Sequence, residues 1–106
     1  MAITKTTIKS RFPNAERIEQ VKSKQLFIVY YVNFSLLVSY TTVIGYKEHG
    51  SLDNKWNITN RKYSQSTSRQ VTYFHKYANY NTLVVADAEI QNFLEGIVLW
   101  LLKNKH

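Results

Sequence analysis

The stretch Gln25-Leu26-Phe27-Ile28-Val29-Tyr30-Tyr31-Val32-Asn33-Phe34-Ser35-Leu36-Leu37-Val38-Ser39-Tyr40-Thr41-Thr42-Val43-Ile44-Gly45-Tyr46 runs for 22 residues without a charge. That is long enough to cross a bilayer as a helix. Its composition argues otherwise: Val, Ile, Tyr and Phe dominate, and Asn33, Ser35, Ser39, Thr41 and Thr42 interrupt it. β-branched and aromatic enrichment, split by a polar Asn-Phe-Ser step, reads as two strands and not as a membrane span. Gln25 to Val32 is apolar on both faces, with Leu26, Ile28, Tyr30 and Val32 on one and Phe27, Val29 and Tyr31 on the other. Two apolar faces predict a central strand. A tight turn at Asn33-Phe34-Ser35 then returns the chain into a second strand, Leu36 to Lys47, which is long enough to need a bulge near Thr41-Thr42 or Gly45.

Upstream, residues 1–14 read as a flexible basic arm ending at Pro13, and residues 15–106 as a single domain. The arm lacks the apolar core of a signal peptide. Glu16 to Ser23 alternates and suits a short edge strand or a helical turn. Downstream, Glu48 to Asn54 is a turn, and Lys55 to Thr59 a third strand with Trp56 and Ile58 inward. Thr67-Ser68-Arg69-Gln70 has the spacing of a capping box and predicts a helix from Ser68 to about Tyr77. Val71, Phe74 and Ala78 form its inner stripe, and Arg69, Thr72, Tyr73 and Lys76 its outer one. Asn79 to Thr82 breaks it, and Leu83 to Ala86 is a short strand or extended link.

Asp87 is placed to cap a last helix running to about Lys103, with Ile90, Phe93, Leu94, Ile97, Val98 and Leu101 as its core stripe. The fold expected is α+β: an antiparallel meander of three to four strands followed by two helices packed on one face. Leu99 falls about 180° from Ile90 at about 100° per residue. The edge formed by Leu99, Trp100 and Leu102 is therefore expected to pair with its symmetry mate in a homodimer.

Residues Leu37-Val38-Ser39-Tyr40-Thr41-Thr42-Val43-Ile44-Gly45-Tyr46, Trp56-Asn57-Ile58-Thr59, Lys62-Tyr63-Ser64, Ser66-Thr67-Ser68-Arg69-Gln70 and Phe74 together resemble a family of small phage and prophage proteins. Its pattern is roughly LVSYxTxVAY, then WxxT, then KYSxTTSRQxxxF. The likeness covers about 40 of the 106 residues and departs at Gly45, usually Ala, and at Ser66, usually Thr. It implies an origin in a phage or mobile element and a meander-then-helix core. It implies no biochemical activity.

The chain has no cysteine, which excludes disulfides, thiolate chemistry and zinc knuckles and points to a reducing, cytoplasmic setting in a host cell. Gly45, Gly50 and Gly96 stand alone and form no phosphate loop. His49, His75 and His106 show neither metal-ligand spacing nor the order of a catalytic triad. No catalytic residue, metal or cofactor is expected, and the protein reads as a binding protein.

Lys and Arg number 14 against 7 acids, a net charge of +7. Asn54 to Ala86 contains no acid at all. Basic side chains interleaved with aromatics are the footprint of nucleic-acid binding. The candidate contacts are Lys55, Arg61, Lys62, Tyr63, Ser66, Ser68, Arg69, Tyr73 and Lys76, with DNA or RNA as the partner and no membrane. Hydroxyls and Arg69 at a helix start also suit a phosphate. The alternative is a phage-encoded inhibitor that binds a host protein or nucleoprotein, such as a defence nuclease or RNA polymerase.

Overall fold

The computed structural model describes residues 3–22, 24–50 and 55–103, with residues 98–103 described by their backbone alone. The charge-free stretch folds as β-structure. It lies inside a six-stranded sheet, β1 (Arg17–Gln20), β2 (Leu26–Tyr30), β3 (Phe34–Ser39), β4 (Thr42–Glu48), β5 (Trp56–Thr59) and β6 (Thr82–Val85), whose strands lie side by side in chain order. Neighbours are antiparallel except β5 and β6, which run parallel. Three helices complete the fold: α1 (Lys5–Arg11), α2 (Gln65–Tyr77) between β5 and β6, and α3 (Asp87–Lys103). Among the described residues no helix is long and apolar enough to cross a membrane.

Alternation along β2 and β3 explains why both faces are apolar. Phe27, Val29, Phe34, Leu36 and Val38 pack with Ile8 of α1 and Ile90 of α3. Leu26, Ile28 and Leu37 pack with Phe74 of α2. The helices therefore cover opposite faces, which corrects the expectation of two helices on one face beside three or four strands. The reason is topological: a parallel β5–β6 pair needs a crossover, and α2 supplies it on one face while α3 returns across the other.

The expected N-terminal arm contains α1, with Thr4 as its N-cap and Ile8 fully buried. Gln25 ties its start to the sheet through bonds with the backbone of Ile3. One buried residue in a seven-residue helix is too little periodicity to read.

Two turns also differ from expectation. The β2–β3 turn sits at Val32-Asn33, closed by the Tyr31 N–H donating to the Phe34 carbonyl at 2.8 Å. Phe34 and Ser35 belong to β3, because Phe34 is buried, stacked on Tyr31 at 4.6 Å and edge-on to Phe93 at 5.6 Å. The expected long strand is broken at Tyr40-Thr41, with Tyr40 in the left-handed region at φ 56°. The anticipated bulge lies beside Gly45, where the register slips so that Leu37 faces Gly45 and Val38 faces Val43.

On α3, Ile90, Phe93, Leu94 and Ile97 face the sheet as the stripe predicted, and Phe93 stacks on Tyr46 at 3.9 Å. The side chains of Leu99, Trp100 and Leu102, the expected dimer edge, lie outside the described residues.

Candidate nucleic-acid interface

The basic segment becomes α2, and its start is set by Ser64, not by Thr67. Ser64 is extended, at φ −164° and ψ 167°, and its hydroxyl oxygen accepts from the Thr67 N–H at 3.1 Å. Thr67 is instead buried inside the first turn, beside Gln70. The Ser39 hydroxyl donates to Gln70 Oε1. Thr67 Oγ1, 3.1 Å from Ser39 Oγ, is then left to donate to it, and Thr67 in turn accepts from Ser64 at 3.2 Å. The Thr67–Gln70 spacing thus places both side chains on the inner face, where they satisfy buried Ser39 at the end of β3. Buried hydroxyls need such partners, which is the physical reason the helix starts earlier than the capping-box reading implies.

Ser64→Ala should cost about 1 kcal/mol of stability through the lost cap, read by urea denaturation. Arg69→Ala, exposed on the same helix, should leave the midpoint unchanged.

The far end of α2 is also anchored. Phe74 is fully buried and meets Trp56 edge-on at 5.2 Å. The Tyr77 hydroxyl donates to Glu19 Oε2 at 2.7 Å, and Tyr30 donates to Glu19 Oε1 at 3.1 Å. The bond to Glu19, with burial adding to it, raises the Tyr77 phenol from its ordinary 10 to about 12. The bond from Tyr77, with Tyr30 and Arg17 assisting, holds the Glu19 carboxyl below its ordinary value.

A raised phenol stabilises the fold below its unfolded value and loses that contribution as pH rises through the folded one. A lowered carboxyl does the reverse. Stability should therefore decline between pH 10 and about 12 as Tyr77 ionises, and Tyr77→Phe should make that decline smaller in urea denaturation across this range, where Tyr30, Tyr31, Tyr46 and Tyr63, also raised, supply the rest. An unchanged decline in Tyr77→Phe would show that the anchor is not there.

The outward face of α2 carries Gln65, Arg69, Thr72 and Lys76, all exposed. Steps of four, three and four residues hold them in one stripe, at about 100° per residue. Lys62, Ser64, Gln65, Ser68 and Arg69 line one open depression of about 550 Å³. Of the residues expected from sequence, Lys62, Ser68 and Arg69 are brought together there. Lys76 continues the stripe two turns on, and exposed Ser66 flanks it on the other side.

Others are placed differently. The Arg61 guanidinium lies over the Tyr63 ring at 4.5 Å and pairs with Asp87 at 3.6 Å. Asp87 also accepts from Thr59 at 2.7 Å and from Tyr63 at 3.0 Å, and the Thr59 bond is the main cause that holds its carboxyl below the ordinary value. Its carboxylate thereby ties the start of α3 to the β5–α2 link. Tyr63 and Tyr73 pack against the core beneath α2. Lys55 precedes Trp56, which packs on the α2 side, so alternation turns it toward the other face. Sequence reading missed Lys24, whose ammonium sits 4.5 Å over the Tyr73 ring. Its only sequence signal was the polar corner at Lys22 to Lys24.

Ser35 and His49 are also brought together, at 2.7 Å between Oγ and Nε2. His49 Nδ1 lies 3.0 Å from the Val32 carbonyl, so Nδ1 is the donor and Nε2 accepts from Ser35. Ser35 is fully buried, and the pair pins the β2–β3 turn to β4. Among the described residues no group of three or more His, Asp or Glu is arranged to hold a metal ion. Comparison with protein-family models, with curated proteins and with solved structures finds no match for this chain.

Proposed function

We propose that this protein binds nucleic acid, without catalysis, through the exposed face of α2 and the cations around it. One observation carries the reading: Lys62, Ser68 and Arg69 converge on a single depression, within a segment, Asn54 to Ala86, that contains no acid. Lysine and arginine neutralise phosphates and release counterions, and a segment without acids lets their charges add. Such a ligand would place the protein's work inside a host cell.

With the four cations Lys24, Lys62, Arg69 and Lys76 displacing counterions from the duplex, the slope of log K against log[salt] on duplex DNA should be about −3 to −4. Lys62→Ala, Arg69→Ala and Lys76→Ala should each make it shallower by about one. Arg61→Ala and Lys55→Ala should change it less, because Arg61 is paired with Asp87 and Lys55 is turned toward the other face. Salt-titrated fluorescence anisotropy measures this. Absence of binding at low salt overturns the proposal and leaves a protein partner as the better reading.

A further inference from the structure

We infer that α2 is a reading element that enters the major groove of duplex DNA, an inference that rests on the nucleic-acid reading above and specifies its ligand. Among the described residues α2 is the one helix on its face of the sheet, since α1 and α3 pack on the other. It therefore stands as a ridge about 10–12 Å across on a sheet about 24 Å wide. The major groove of B-DNA is about 12 Å wide and admits one helix.

The crest of that ridge is Gln65, Arg69, Thr72 and Lys76, with neither an acid nor an apolar side chain. These are the residue types that read base edges: Arg and Lys to guanine O6 and N7, Gln to adenine N6 and N7, Thr to either. From Gln65 to Lys76 the helix rises about 16 Å, the length of four to five base pairs at about 3.4 Å each.

The flanks suit the two phosphate walls of a groove. Lys62 and Ser68 lie on one side, and Lys24, over Tyr73, lies on the other. Glu19 and Asp87, the acids that bond Tyr77 of α2 and Tyr63 ahead of it, also lie near arginines.

Three tyrosines of this face are unavailable to a single strand, whereas Tyr77 and Tyr80 are exposed, so the single strand is tested beside the duplex. Base stacking needs an open ring face. Arg17 covers Tyr30 at 4.2 Å, Lys24 covers Tyr73 and Arg61 covers Tyr63, each at 4.5 Å. An A-form RNA duplex is disfavoured because its major groove is too deep and narrow for a helix. The helix itself is held at three points, by Ser39, Phe74 and Glu19, so its crest is presented without a folding cost.

The test compares binding of the full chain to a DNA duplex of about 20 base pairs, the RNA duplex of the same sequence and the DNA single strand, at one salt concentration. We expect the DNA duplex to bind about tenfold more tightly than either alternative. Methylation of guanine N7, which lines the major groove, should weaken binding, whereas a drug occupying the minor groove should not. Arg69→Ala and Gln65→Ala should each abolish part of the sequence preference recovered from a randomised duplex pool, with circular dichroism confirming that α2 is retained. Equal binding to all three nucleic acids, indifferent to N7 methylation, overturns groove entry and leaves the nucleic-acid reading intact. Binding to none of them overturns both.

Discussion

Phe74→Ala should lower the unfolding free energy by about 3–5 kcal/mol, the cost of removing a buried aromatic and leaving a cavity. Phe74 has no exposed surface. It is the side chain by which α2 enters the core on its face, among Leu26, Ile28, Leu37, Ile44, Trp56 and Ile58. Its ring also meets Tyr77 at 5.7 Å, so the cavity would open beneath the Tyr77–Glu19 anchor. A domain of this size holds about 5–15 kcal/mol in total, and such a loss leaves little in reserve. Urea denaturation followed by tryptophan fluorescence measures it, because Trp56 packs edge-on to the lost ring. A cost below about 1 kcal/mol would mean that α2 contributes little to the core and that its crest is not rigidly presented.

Gly45→Ala is the second large effect, and its origin is backbone approach. A Cβ at Gly45 would sit 2.8 Å from the Asn57 carbonyl oxygen and 3.4 Å from Ile58 Cγ1. The carbonyl belongs to β5 and cannot rotate aside, so β5 itself must move. The β4–β5 register is carried by Gly45 opposite Ile58 and Tyr46 opposite Asn57. A shift there also moves Trp56 and β6, which pairs along β5 from Trp56 to Thr59. Overpacking of this kind costs about 1–3 kcal/mol. The same denaturation experiment reads it, and amide exchange should show β5 and β6 losing protection before β2 and β3. Uniform protection with an unchanged midpoint would show that β5 yields without strain.

How far these features were legible from sequence differs from element to element. The strand over Leu26 to Tyr30 was readable because two interleaved apolar sets leave it no exposed face. The inner stripes of α2 and α3 were readable because Val71, Phe74 and Ala78 on the one, and Ile90, Phe93, Leu94 and Ile97 on the other, recur with helical period. The turn at Tyr40-Thr41 was not, since neither residue is the Gly, Asn or Asp that marks a left-handed turn. The start of α2 was misplaced because two signals overlap there. Ser64 with Thr67 and Thr67 with Gln70 share one spacing, and only the presence of buried Ser39 decides which pair faces inward.

For the candidate site, the cations and the acid-free run came from sequence alone, since charge is a property of composition. Their grouping did not. Arg61 is drawn to Asp87, Lys24 to Tyr73 and Glu19 to Tyr77, and none of these pairs shares a local period that a pattern could register. By itself the sequence determined the interiors of the central strands and of α2 and α3 and the identity of their apolar faces, because those depend on residue type at short spacing. The tertiary structure decided which face of the sheet each helix covers, and therefore which cations stand together on the α2 ridge. Those outcomes depend on crossover topology and on contacts between residues far apart in the chain.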